Sequence, residues 1–143
     1  MKTMMLAALV AGVMTAVAAV AVAPLSAHHS HAMFDGSKEI ELTGVVTSVR
    51  YANPHVFLQV RATHRDGKAL EPNQTWAIEM STIQNMTTRG LTPDVMPAGA
   101  TIAVKINPLF SGGLSGNYTN VVMINGVRNT SNMGDWKPSA ATR

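Results

Sequence analysis

The stretch GVVTSVRYANPHVFLQV, residues 44–60, holds two runs rich in β-branched residues on either side of an Asn-Pro turn. The second run alternates strictly and continues to residue 62. Its apolar face consists of Val56, Leu58, Val60 and Ala62. Its outer face consists of His55, Phe57, Gln59 and Arg61. Because this period is typical of a half-buried strand, we predict two consecutive strands that pack against one core.

The first strand begins before this stretch, at EIELT, residues 39–43. Along a strand, alternate residues point to the same side. The β-branched and apolar residues fall on even positions at first, with Ile40 and Leu42, and then on odd positions, with Val45, Thr47, Val49 and Tyr51. Gly44 stands where the phase changes. A glycine in that position predicts a bulge or a bend in a long, curved strand.

The next two segments predict a hairpin connection and a third strand. HRDGKALEPN, residues 64–73, contains Asp-Gly and Pro-Asn, which are typical of a connection between strands. QTWAIEMS, residues 74–81, alternates again, with Trp76, Ile78 and Met80 inward and Glu79 outward. Counting back across the hairpin places Phe57 or Gln59 opposite Glu79, and His55 near Ser81.

One short helix and two more strands follow. In STIQNMTTRGL, residues 81–91, Ser81 or Thr82 can cap a helix and Gly90 can end it. TIAVKI, residues 101–106, and YTNVVMING, residues 118–126, predict the last two strands. The glycine-rich segment NPLFSGGLSG connects them.

The sequence therefore predicts an all-β fold with one short helix, in the order β-β-β-α-β-β. This is the order of the OB-fold, a five-stranded, partly open barrel, here over residues 39–128. A small β-sandwich that carries one helical turn is the alternative. The position of the single helix between strands three and four favours the OB-like barrel. Residues 129–143 are expected to form a loose C-terminal tail, with Trp136 pinned back onto the body.

The first 27 residues predict a cleavable signal peptide. Lys2 supplies the positive charge, the segment 4–22 is almost wholly apolar, and small residues end the run at Ala27. An uncleaved anchor is the alternative, since a spanning helix needs about 20 apolar residues. We expect cleavage after Ala27, a periplasmic or secreted protein, and no membrane span in the mature chain. The absence of cysteine excludes disulfides and a lipoprotein anchor.

Composition further limits the function. Removing 27 of the 143 residues leaves 116, which are enough for a single core. Loss of Lys2 lowers the formal net charge from +3 to +2, and the charges are spread singly along the chain. That pattern argues against nucleic acid as a partner. No nucleophilic triad, phosphate-binding loop or dinucleotide fingerprint is present, so we expect a binding protein rather than an enzyme.

Several of these motifs resemble a known family. The chain is similar to small exported bacterial proteins that are catalogued as a domain of unknown function. The similarity lies in four segments: AHHS (27–30), GVVTSVRYANPHVFLQV (44–60), TWAIEMST (75–82) and TTRGL (87–91). The resemblance covers most of residues 27–106. The chain differs from that family at Leu91, where an aromatic is usual, and in its longer loop at 107–120. The resemblance implies a bacterial envelope protein and offers no activity.

Residues 26–34, SAHHSHAMF, place three of the five histidines within four positions. Cleavage after Ala27 would leave His28 with a free amine beside its imidazole, and these two nitrogens can chelate one metal ion. His29 and His31 offer further nitrogen ligands. Such ligands suit Cu(II), which heads the divalent affinity order, with Zn(II) and Ni(II) behind it. Copper is therefore the predicted cofactor.

A selective site also needs a ligand from the folded body, and His55 is the residue that we predict for it; the alternative role of His55, which follows Pro54, is to cap a turn by hydrogen-bonding the backbone. The arm of residues 28–38 is long enough to reach the second strand, at about 3.3 Å per residue. Glu79, on the neighbouring strand, is a candidate partner for the ligands. Met33 offers a thioether for a redox-changing copper site, although packing onto the barrel is the simpler role for it.

Three alternatives remain open. The histidine cluster can be a solvated tail. The outer face around Phe57, Gln59 and Arg61, with Thr75, can instead bind a glycan or an envelope protein partner. A copper oxygenase that uses His28 as a chelate is the one enzymatic interpretation, and the aromatic content of 5% argues against its polysaccharide-gripping surface. A metal protein needs the free terminus and His55, whereas an interaction module needs Phe57 or Arg61.

Overall fold

The computed structural model describes residues 31–140. The predicted signal peptide, His28 and His29 lie outside the described residues. After a short 3-10 turn at His31–Met33, the elements are β1 (Ile40–Arg50), β2 (Phe57–Arg65), β3 (Lys68–Glu79), α1 (Ile83–Thr88), β4 (Thr101–Pro108), β5 (Ser115–Ile124) and β6 (Val127–Arg128). Within residues 31–140, no helix is long and apolar enough to cross a membrane.

The strands form one sheet that closes on itself. Their order is β3-β2-β1-β4-β5-β6, and these neighbours pair in antiparallel fashion. A short parallel pairing between β3 and β5, from Ala77 opposite Ser115 to Glu79 opposite Asn117, completes a ring of five strands. The prediction of an all-β fold with one short helix, between strands three and four, is confirmed, and the two-residue β6 is a sixth strand beyond the five predicted.

The core fills the inside of this ring. The predicted apolar face of β2 is fully buried, as are Ile78 of β3 and three residues of β4, Ile102, Val104 and Ile106. Trp76 and Met80 also face inward. Alternation therefore identified the inner faces of these three strands correctly, since every second side chain of a strand points to the same side.

The predicted phase change at Gly44 is wrong. Burial in β1 alternates without a break from Ile40 through Gly44 to Val46, and it becomes irregular only after that residue. The ladder with β2 carries two irregularities, one between Thr43 and Gly44 and one between Val46 and Ser48. A Cβ at Gly44 would overlap the backbone of Arg61. The glycine therefore permits a close approach of two strands, and the second irregularity produces the change of phase.

The predicted hairpin connection is shorter than expected. Asp66 and Gly67 alone make the turn between β2 and β3, with φ of 51° and 75°. A two-residue turn with positive φ at both positions matches the right-handed twist of the flanking strands. Asp66 Oδ1 accepts a hydrogen bond from the Glu41 N–H at 2.8 Å, which holds the turn against β1. The residues around Pro72 consequently belong to β3.

Helix α1 has the predicted caps. The Thr82 hydroxyl accepts a hydrogen bond from the Asn85 N–H, and Gly90 follows the helix with φ of 74°. Arg89 lies at the C-cap and carries a contact to the C-terminal segment, because its carbonyl accepts the Trp136 N–H at 2.7 Å. The indole of Trp136 packs against the core cluster.

Residues 129–140, expected as a loose tail, make defined contacts with the ring. The Asn129 side chain donates to the carbonyls of Val121 and Asp135, both at 2.7 Å. Tyr118 of β5 donates its hydroxyl hydrogen to the Gly134 carbonyl. These bonds hold the segment across the outer side of β5, next to the end of α1.

Candidate metal-binding pocket

The arm that carries His31 is fixed at the β4–β5 loop. Phe34 is buried and forms an isolated antiparallel bridge with Leu109. On either side of Phe34, the Met33 carbonyl accepts the Phe110 N–H at 3.0 Å, and the Asp35 N–H donates to Pro108 at 2.8 Å. The 3-10 turn at His31 lies directly before this anchor, so the anchor fixes the backbone from which the imidazole projects.

Asp35 also stabilises the bend that follows the anchor. Its carboxylate accepts hydrogen bonds from the Ser37 hydroxyl and backbone N–H, at 2.6 and 3.1 Å, and lies 2.9 Å from Lys38 Nζ. The Ser37 hydroxyl, followed by Lys38, holds the pKa of Asp35 below its usual value. These contacts therefore favour the charged form of the Asp35 carboxylate.

His55 is held at the other side of the pocket by the strand ends around it. The Val56 N–H donates to the Ser81 carbonyl at 2.9 Å, and the Met80 N–H donates to the Val56 carbonyl at 2.8 Å. Across the β2–β3 ladder, Phe57 lies opposite Glu79. Both neighbours counted from the sequence, Ser81 for His55 and Phe57 for Glu79, are confirmed.

Glu79 is not in the pocket lining, but it forms a buried contact with the pocket residue His55. It was expected to face solvent, but the structure leaves it only 6% exposed, because β5 pairs with β3 at this residue. Its Oε1 lies 2.5 Å from His55 Nδ1. This contact does not have the geometry of a hydrogen bond, and within residues 31–140 the oxygen has no hydrogen-bond partner. A buried carboxylate without compensation is costly, so the pairing with His55 is what makes this position tolerable.

The contact orients the His55 ring, because Nδ1 is the ring nitrogen that faces the Glu79 carboxylate. Nε2, on the other side of the ring, is not engaged by this contact. Metal-binding histidines commonly have this arrangement, in which a carboxylate orients the ring through one nitrogen while the other binds the ion.

His31 and His55 line the same open pocket of about 340 Å³. Their ring centroids are 6.3 Å apart and the rings are tilted by 44°. A ring nitrogen binds a transition metal at about 2.0 Å, which allows the centroids of two coordinating rings to be up to roughly 6 Å apart. The two imidazoles are therefore close enough to share one ion after small side-chain rotations. Within the part of the chain that the structure describes, no cluster of three or more histidine and carboxylate ligands occurs.

The other predicted site residues lie apart from this pocket. Met33 is half exposed and is not in the pocket lining. Phe57, Gln59 and Arg61 are on the outside of β2, and the Arg50 guanidinium lies 4.7 Å from the centre of the Phe57 ring. That cation–π contact covers one face of the aromatic ring. The structure thus places His55 in the pocket lining and leaves Phe57, Gln59 and Arg61 outside it.

Three pocket residues had no signal in the sequence: Arg89, Tyr118 and Met133. Burial raises the pKa of Tyr118 to about 12, and the Arg89 guanidinium beside it acts in the opposite direction. Arg89 Nη1 also donates to the Met133 carbonyl at 2.9 Å. Because the three come from the end of α1, β5 and the C-terminal segment, no local pattern could have grouped them.

Comparisons with known proteins yield a family and no activity. The model of a family described as "Family of unknown function (DUF6152)" matches residues 14–130. No curated protein and no solved structure matches the chain. A function has to be inferred from the pocket itself.

Proposed function

The chain belongs to the family of unknown function DUF6152, and from its pocket we propose that it binds a copper ion through His31 and His55. The histidines that precede His31 in the sequence, His28 and His29, would complete the ligand set. The observation that carries this proposal is the pairing of two imidazoles across one pocket, with a buried carboxylate behind one of them.

The Glu79–His55 contact favours metal binding over a purely structural role. A carboxylate that orients a histidine makes the free nitrogen a better electron donor, and the metal in turn polarises the N–H toward the carboxylate. Burial of Glu79 costs stability, and a cation on the far side of His55 offsets that cost. A merely structural pair would not require an open pocket with a second imidazole beside it.

Copper is the metal that this donor set favours. Imidazole suits Zn, Cu, Fe and Ni, and Cu(II) is the strongest binder in the divalent series. An N-terminal amine at His28, next to the imidazole of the same residue, would add a chelate of nitrogen ligands. We infer that the protein carries copper in the bacterial envelope after export and does not catalyse a reaction.

The proposal is tested by titration with Cu(II), read by calorimetry and electron paramagnetic resonance. The full chain is expressed with its own N-terminal segment, recovered from the periplasm, and its N-terminus determined by mass spectrometry. We expect nanomolar affinity and a nitrogen-rich spectrum. His55→Ala, and a glycine inserted before His28, should each weaken binding at least 10-fold.

His64→Ala is the matched control. His64 is exposed on β2 and is not in the pocket lining, so its loss should leave copper affinity unchanged. Equal, micromolar binding by the parent chain and all variants would overturn the proposal and identify the cluster as a solvated tail. The interaction surface around Phe57 and Arg61 would then be the next site to test, with Phe57→Ala and Arg61→Ala and a glycan or envelope protein as the partner.

A further inference from the structure

Met133 is a residue of the pocket lining that no sequence pattern predicted. It is 79% exposed, yet it lines the same pocket as His31 and His55. Its backbone is fixed on both sides, because its N–H donates to the Ser131 hydroxyl at 3.2 Å and its carbonyl accepts from Arg89 at 2.9 Å. The structure therefore holds an exposed thioether side chain at the pocket rim on a hydrogen-bonded backbone.

The buried methionines contrast with this placement. Met80, Met86 and Met96 are buried in the core, where methionine fills irregular space. Met80 also reaches the pocket floor, but it belongs to the core cluster. The Met133 side chain gains little from burial, so its position at the rim leaves its sulfur available to a ligand.

Arg89 is a permanently charged side chain in the pocket lining, and none of the ion pairs within residues 31–140 involves it. Arg89 repels a divalent ion more strongly than a monovalent one, since the repulsion scales with the charge of the ion.

We propose that the pocket also holds Cu(I), with the Met133 thioether as a ligand beside His31 and His55. Thioether ligands select Cu(I), a soft ion that is also monovalent, and so the donor type and the pocket charge agree. This inference rests on the proposed function and assigns Met133 to one oxidation state of the bound copper.

The test is a competition for Cu(I) between the protein and a chromophoric Cu(I) chelator, without oxygen and with excess reductant. The exported chain is compared with Met133→Leu and with the control Met33→Leu, an exposed methionine outside the pocket lining. We expect Met133→Leu to weaken Cu(I) binding at least 10-fold, to leave Cu(II) affinity within about 2-fold, and to remove a sulfur neighbour seen by X-ray absorption. Met33→Leu should match the parent chain.

The outcomes separate the two proposals. Leucine conserves the volume of methionine, so an unchanged melting temperature will show that the variant is folded. Equal Cu(I) affinity in Met133→Leu and the parent chain, or no sulfur neighbour, overturns the role of Met133 while the Cu(II) site stands. Failure of the parent chain to bind either copper ion overturns both.

Discussion

The inside of the ring and the wall of the pocket are built in opposite ways. The inner faces of β2 and β3 come from residues two apart in sequence, on strands joined by a two-residue turn. The pocket joins His31, His55 and Met133, which are widely separated in the chain. A local period can determine the first region, whereas only the completed fold can assemble the second. Stability should therefore depend on the ring, and ligand binding on the segments attached to it.

The largest expected effect comes from the ring. Leu58→Ala removes a fully buried side chain from the core and should lower the free energy of unfolding by about 2–5 kcal/mol, through lost transfer energy and the cavity left behind. Urea denaturation followed by circular dichroism measures it. A loss below 1 kcal/mol would show that the ring interior is not the source of stability.

The anchor of the N-terminal arm should affect copper binding more than stability. Phe34→Ala removes a buried side chain outside the core cluster, so we expect a smaller loss of about 2 kcal/mol. Cu(II) affinity should fall at least 10-fold, because His31 is no longer held beside His55. If this variant loses stability but keeps the copper affinity of the parent chain, copper binding does not depend on the anchored arm.

Tyr118 lies on β5 of the ring and also lines the pocket, and its substitution should have the next largest effect on stability. Tyr118→Phe loses the hydrogen bond to Gly134 and should cost about 1 kcal/mol at neutral pH. The pKa of Tyr118 is raised to about 12 from 10.0 in the folded protein. The folded state thus holds the proton more tightly, and this stabilisation is complete below pH 10 and lost as the pH rises toward 12. Unfolding curves over that range should fall more steeply for the parent chain than for Tyr118→Phe; parallel curves would contradict the prediction.

The smallest effect is expected on the outside of β2. Arg61 is exposed and is not in the pocket lining, so Arg61→Ala should change stability by less than about 0.5 kcal/mol and leave copper affinity unchanged. The same denaturation and titration experiments measure both. A loss of copper affinity here would mean that the pocket extends along the outer face of β2.

The sequence predicts what depends on short-range rules. The faces of β2, β3 and β4 follow from alternation, and the caps of α1 follow from Thr82 and Gly90. The phase of β1 could not be predicted, because it depends on where the β1–β2 ladder bulges. Gly44 marks a close approach between strands and not the change of phase itself.

Some features of the candidate site could likewise be predicted from the sequence, and others could not. His55 and its neighbours across the hairpin could be counted from the strand register. The burial of Glu79 could not, because β5 covers it through a parallel pairing with a strand far along the chain. Met133 and Arg89 carry no local pattern, and they reach the pocket only because the C-terminal segment bonds to the end of α1.

The short reach of the β3–β5 pairing has a consequence for self-association. The pairing spans only Ala77–Glu79, so the side of β3 that faces away from β2 lacks a strand partner from residue 68 to 76, within the part of the chain that the structure describes. Free strand edges template aggregation. This edge carries Lys68 and Glu71, and Pro72 has no N–H to offer an incoming strand. Charge and proline thus blunt this free edge against pairing with a strand of another molecule.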